Sequence, residues 1–158
     1  MKKHLVLVAA ALFVLAALPA SAQQLWGTAG SVGIIDEASL NLFELSGQSL
    51  QFKAGAVGTI VARYPIDGDI QNPGWGSWWI AYAGAGVTVR LKEVQECGIT
   101  EATIATFNNP NTPEANICIS DFWGPFTWNF AQKSYYLEVT LTRATTATNP
   151  RFNRLQLQ

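Results

Sequence analysis

Residues 134–143 read Ser-Tyr-Tyr-Leu-Glu-Val-Thr-Leu-Thr-Arg, and no other run constrains the chain as much. Tyr135, Leu137, Val139 and Leu141 share one parity, and Tyr136, Glu138, Thr140 and Thr142 share the other. Strict alternation rich in β-branched and aromatic residues predicts a strand with one buried and one wet face. Its register is strongly specified, because a slip by one residue would turn its large apolar side chains into water. The segment is expected to lie centrally in an antiparallel sheet.

Other runs repeat the pattern less completely. In residues 59–66, Ile60, Ala62, Tyr64 and Ile66 share a face. Pro65 cannot donate a ladder hydrogen bond, so the strand ends or meets an edge there. Residues 75–83 form an aromatic strand, and Gly84-Ala85-Gly86 predicts a hairpin into residues 87–94. There Val87, Val89 and Leu91 share a face while Val94 falls out of phase, which predicts a bulge near Lys92-Glu93. Residues 50–52, 100–107, 117–122, 126–130 and 152–157 read as further strands. Residues 39–45 fit a helix or a strand, and residues 23–33, with Trp26 and three glycines, read as a lead-in or an edge strand. Turn chemistry fills residues 67–76 and 108–113. The sum is about eight to ten short strands, turn signals roughly every 8–14 residues and no amphipathic helix. That pattern predicts an all-β fold, an antiparallel β-sandwich of jelly-roll type, with residues 23–158 forming a single domain.

The first 22 residues are expected to lie outside that domain. Lys2 and Lys3 precede an uncharged apolar run over residues 5–18, Pro19 breaks it, and Ala20-Ser21-Ala22 is a small-x-small cleavage site. This is the layout of a signal peptide cut before Gln23, and it predicts a secreted or periplasmic protein. The apolar run is short for a membrane span, and no later run is long and apolar enough to cross a bilayer. Removing the leader also removes the only His (His4), the only Met and two of the ten basic residues against eleven acidic ones. The remaining charge is mildly negative with no basic run, which disfavours nucleic acid and anionic membrane surfaces as partners. Without His, neither a Ser-His-Asp nor a Cys-His site can be built, nor a His-ligated metal centre. Carboxylate-only hydrolysis survives that test. The acids it would use are Glu93 or Asp121 against Glu44, but no such pair stands in a specialised setting, and the chain reads as non-enzymatic.

Cys97 and Cys118 are the two cysteines. An even pair in an exported chain predicts a disulfide, which would stabilise the fold by about 3 kcal/mol in the chain-entropy model. Their spacing matches neither a redox nor a metal motif.

Residues 135–143 followed by Thr148-Asn149-Pro150-Arg151-Phe152, with the Asn72-Pro73-Gly74-Trp75 turn, resemble uncharacterised small secreted bacterial β-sandwich proteins. The likeness covers about a third of the chain and is a strand plus a turn. It implies a small secreted sandwich and assigns no residue a role.

Six tryptophans stand out in a chain of this length. Trp75, Trp78 and Trp79 cluster in one place, and Trp123 and Trp128 in another among Phe122, Phe126 and Phe130. Large rings fill sandwich cores. On one strand, however, Trp78 faces opposite to Trp75 and Trp79, so one set must leave the core. Exposed flat rings near amides and carboxylates suit sugar stacking, and they equally suit burial by a protein partner. Trp75, Trp78, Trp79 and Trp123 are therefore the candidate ligand-binding residues for a carbohydrate or an extracellular protein. No cofactor is required, but Asp67 and Asp69 with Asn72 make one candidate calcium loop of hard oxygen ligands. The spacing departs from the helix-loop-helix calcium pattern, and a self-capped solvated turn is the plainer reading. The competing function is a structural subunit of an extracellular layer or fibre, which would oligomerise through exposed edges or apolar patches.

Overall fold

The computed structural model describes residues 26–67, 76–95, 100–109 and 116–157. Eleven strands follow in order: β1 (Trp26–Ala29), β2 (Ile34–Ile35), β3 (Phe43–Ser46), β4 (Ser49–Phe52), β5 (Gly58–Ile66), β6 (Gly76–Ala83), β7 (Val87–Gln95), β8 (Glu101–Asn109), β9 (Ile117–Gly124), β10 (Lys133–Arg143) and β11 (Arg151–Leu157). They form two antiparallel sheets. One runs β3-β4-β11-β6-β9, with β1 pairing β11 as a sixth strand; the other runs β2-β5-β10-β7-β8. The fold is the all-β sandwich that the alternation predicts. No helix among the described residues is long and apolar enough to cross a membrane.

The strand over residues 134–143 is the middle strand of the five-stranded sheet, as expected. Tyr135, Leu137, Val139 and Leu141 are buried. They pair on one side with Ile66, Tyr64, Ala62 and Ile60, and on the other with Glu93, Leu91, Val89 and Val87. The six-stranded sheet supplies Leu50, Phe52, Trp78, Ile80, Tyr82, Phe152, Leu155 and Leu157 to the same core. Ring pairs bridge the sheets: Tyr64 lies 5.5 Å from Phe152, and Tyr82 lies 5.4 Å from Phe107. Pro65 is tolerated because β2 pairs only with Arg63 and Ala62, leaving no strand opposite the proline on that side.

Several sequence expectations need correction. Gly84-Ala85-Gly86 does not close a hairpin: β6 and β7 belong to different sheets, so the segment is an arch between them. Gly84 and Gly86 take φ of 75° and 85°, which suits glycine. A Cβ on Gly86 would also strike the Thr142 carbonyl. The bulge lies beside Lys92 as expected, but the extra residue is Ile104 on β8. A second bulge lies at Asn153 in β11. Residues 39–45, read as a helix or a strand, begin at the last residue of a 3-10 turn over Glu37–Ser39 and end within β3. Residues 126–130 are not a strand. Their rings instead gather on Tyr135, with Phe126, Trp128 and Phe130 all within 5.8 Å of its centroid.

The expected Cys97–Cys118 disulfide is absent: Cys118 is free and exposed. Cys97 itself lies outside the described residues, as does the signal-peptide segment, residues 1–22. Strand order gives the reason. β7 ends at Gln95 at the end of the sandwich where Gly76 pairs Gly124, whereas Cys118 pairs Ala81 near the opposite end of β9. Six residues of extended strand separate Cys118 from Gly124, about 20 Å at ~3.3 Å per residue. A disulfide needs Cα atoms within about 7 Å.

Arg143 ends β10 on the buried face and is only 7% exposed. Among the described residues no carboxylate meets it. Its guanidinium donates to the carbonyls of Lys53, Ala56, Thr145 and Thr146 at 3.0–3.4 Å and sits 5.8 Å over the Phe52 ring. One cation thus ties the turn after β4 to the loop after β10.

Candidate binding face

Neighbouring tryptophans on β6 take opposite sides of the six-stranded sheet. Trp78 is fully buried, and its indole N–H donates to Asp121 at 3.3 Å. Its ring is 4.6 Å from that of Trp123. Trp123 is the extra residue where β9 bulges against β6, and it fits over Gly76, where any Cβ would collide with the indole. Its N–H is buried with no partner. Trp78 is therefore a core residue, and Trp123 packs against that core. Trp75 lies outside the described residues. Trp79 turns outward and is 48% exposed.

The surroundings of Trp79 follow from register. One row across the outer face reads Gly27, Gln156, Trp79, Ser120, and the next reads Ala29, Arg154, Ala81, Cys118. Three long side chains thus stand among Gly, Ala, Ser and Cys. That contrast in size makes relief in an otherwise level sheet. A groove of about 280 Å³ is lined by Trp79, Ala81, Cys118, Arg154 and Gln156. A second depression of about 500 Å³ adjoins it, lined by Gly27, Thr28, Ala29, Gln48 and again Arg154 and Gln156. Phe122, 55% exposed, stands diagonally across from Trp79 on β9. The row spans three strand spacings, about 14 Å.

Arg154 reaches this face only through the Asn153 bulge. Phe152 points inward; without the extra residue Arg154 would point inward too, and Leu155 outward. The Asn153 side chain is anchored on both sides. Its oxygen accepts from Ser49 Oγ at 2.7 Å, and its Nδ2 donates to Asn116 Oδ1 at 3.2 Å. Farther along the same face, Gln51 Nε2 donates to Glu44 Oε1 at 2.6 Å.

The carboxylates proposed for hydrolysis are not assembled. Glu44 lies on β3 and Asp121 on β9, the two edges of the six-stranded sheet, four strand spacings apart. That is about 19 Å, too far for a glycosidase pair. Glu93 belongs to the other sheet and is taken by Lys133 at 2.7 Å. Of the calcium candidates, Asp67 is exposed at the end of β5, and Asp69 and Asn72 lie outside the described residues. Among the described residues, no group of three or more His, Cys, Asp or Glu could hold a metal ion.

No family model and no curated protein matches the chain. Among solved structures, it is similar to the carbohydrate-binding module CBM36 in complex with calcium and xylotriose, at 12% identity, covering 84% of this chain and 99% of that one, with a TM-score of 0.49. It is also similar to the CBM36-1 domain of a xylanase from the hindgut metagenome of Trinervitermes trinervoides, at 7% identity, 85% and 97% coverage and a TM-score of 0.48. A third is the C-terminal CBM6 of LamC, a marine laminarinase from Zobellia galactanivorans, at 14% identity, 85% and 99% coverage and a TM-score of 0.47. At such scores these likenesses do not bear on what this chain binds.

Proposed function

We propose that the protein is an exported, non-enzymatic binding module that holds a carbohydrate chain across the outer face of its six-stranded sheet. The observation that carries this reading is Trp79: a half-exposed indole on a rigid strand, beside a groove with a guanidinium and an amide. A pyranose ring presents a face of C–H groups that lies flat against an indole, while its hydroxyls need donors and acceptors around the rim. Arg154, Gln156 and Ser120 supply those, and Phe122 extends the apolar surface. The small residues between them give a sugar backbone room to approach.

Titration of the protein with a panel of soluble polysaccharides, read by tryptophan fluorescence and calorimetry, tests the proposal. Saturable binding to at least one is expected, lost on Trp79→Ala and retained on Trp128→Phe. A flat response across the panel, or equal binding by Trp79→Ala, overturns it. The loop carrying Asp67, Asp69 and Asn72 is the place a calcium ion would take, and repeating the titration with calcium and with a chelator tests that element separately.

A further inference from the structure

We infer that the sugar held on this face is acidic, a uronate-bearing oligosaccharide whose carboxylate is taken by Arg154; this rests on the binding face proposed above. The inference starts from charge pairing. Arg63 meets Asp36, Arg90 meets Glu138, Lys92 meets Glu101, and Lys133 meets Glu93. Arg143 is satisfied by carbonyls. Among the described residues Arg154 has no such partner, although it is flanked on both sides by strands. No carboxylate occurs anywhere in β1, β4, β6 or β11. On β9, Asp121 is turned inward to Trp78. Among the described residues, the acids of this sheet are thus Glu44 on the edge strand β3, which takes Gln51, and Asp121, so none stands beside Arg154.

Position adds to charge. Arg154 and Gln156 line both depressions, so they stand on the ridge where a chain passing from one to the other must cross. A sugar stacked on Trp79 places its neighbour over Gly27 and Ala29, where there is little side chain to obstruct it. An equatorial carboxylate between them meets a planar fork of N–H donors, which matches two oxygens at once. The Gln156 amide, next but one along the same strand, can donate to the same group. A neutral sugar would offer the guanidinium only uncharged hydroxyl acceptors, which form weaker bonds than a carboxylate.

The test uses galacturonate, mannuronate and glucuronate oligomers, each beside its methyl ester, against the full chain and two variants. Methylation removes the charge and keeps the ring. The acid form of at least one oligomer should bind about tenfold more tightly than its ester, the size of a hydrogen bond to a charged group. Raising the salt should narrow the gap. Arg154→Gln should abolish the gap between acid and ester while leaving the melting temperature unchanged, and Arg154→Lys should keep part of it. If acid and ester bind equally and both are lost in Trp79→Ala, the binding face stands and the acidic preference is overturned. If no oligomer binds at all, acid or ester, while neutral polysaccharides do, the acidic preference again falls alone. If neither class binds, both readings fall.

Discussion

The two outer faces of the sandwich are built from equal materials and finished differently. On the five-stranded sheet, charge is closed on itself. Glu138 lies in register between Arg63 and Arg90 and pairs with the latter at 3.2 Å. Glu101 accepts from both Lys92 and Tyr136. Thr59, Thr88, Thr140 and Thr142 fill the positions between, short and uncharged. On the six-stranded sheet, the rows around Trp79 carry an exposed indole, an exposed phenyl ring across from it and Arg154, which has no carboxylate beside it among the described residues. A sheet face that satisfies its own charges needs only water. One that leaves a ring and a cation open can offer both to a ligand, and the second costs nothing in stability only because the residues stay hydrated.

The largest effect that tests this contrast comes from two adjacent residues. Trp78→Ala should destabilise the fold by about 3–5 kcal/mol, since it empties a fully buried ring site and leaves Asp121 without its donor. Trp79→Ala should change stability by under about 0.5 kcal/mol and abolish sugar binding. Denaturant melts of both variants check it. A large loss of stability in Trp79→Ala would make the outer ring structural and remove the contrast.

Two arginines give the next comparison. Arg143→Ala leaves four carbonyls short of a donor beneath the loops they anchor, and should cost about 2–4 kcal/mol. Arg154→Gln should be neutral in the same melts. Equal losses would mean that Arg154 has an unrecognised structural partner.

These pairs also show how much the sequence discloses. The parity of β5, β7 and β10 was legible because each has apolar groups on one side and polar groups on the other. Trp78 and Trp79 were not separable, because two adjacent rings make either parity plausible and only the packing of Trp123 and Asp121 decides. Periodicity reports a residue's face but not its strand's partner, so the arch at residues 84–86 read as a hairpin and Cys118 as half of a disulfide. Arg154 was missed entirely. Its direction depends on one inserted residue at Asn153, and the signals that hold the bulge, Ser49 and Asn116, are distant in sequence. The order of Leu155 and Leu157 after Phe152 carries the only local hint, since their apolar parity is shifted by one.

Acid and alkali probe the closed face. Hydrogen bonds from Lys92 and Tyr136 hold the Glu101 carboxyl below its ordinary value of 4.5. A carboxylate with a lowered folded value adds stability above its unfolded value and loses it as pH falls through the folded one. Stability should therefore decline below about pH 4.5. Burial and the bond to Glu101 push Tyr136 up to about 12 from 10.0. That contribution is full below pH 10 and is lost as pH rises towards 12. Tyr136→Phe should make both limbs shallower in melts recorded across pH. Unchanged limbs would mean that the Glu101 contacts do not persist in solution. Burial also raises Tyr64 and Tyr135, so the alkaline limb should not vanish.

The smallest expected effect is the sharpest for the comparison. Glu138→Gln frees Arg90 on the five-stranded face, while Arg63 keeps its pair with Asp36. Exposed pairs of this kind are worth under about 1 kcal/mol, so the fold should barely notice. The variant tests whether an open cation alone suffices to recruit an acidic sugar. It should not: the side chains around Arg90 on that face are Thr88, Thr106, Thr140, Lys92 and Tyr136, and Lys92 and Tyr136 are both taken by Glu101. Oligogalacturonate affinity of Glu138→Gln should equal that of the parent, and in the double variant with Trp79→Ala it should be nil. Binding gained by Glu138→Gln would show that charge outweighs shape on these sheets, and Trp79 would lose its place as the anchor of the site.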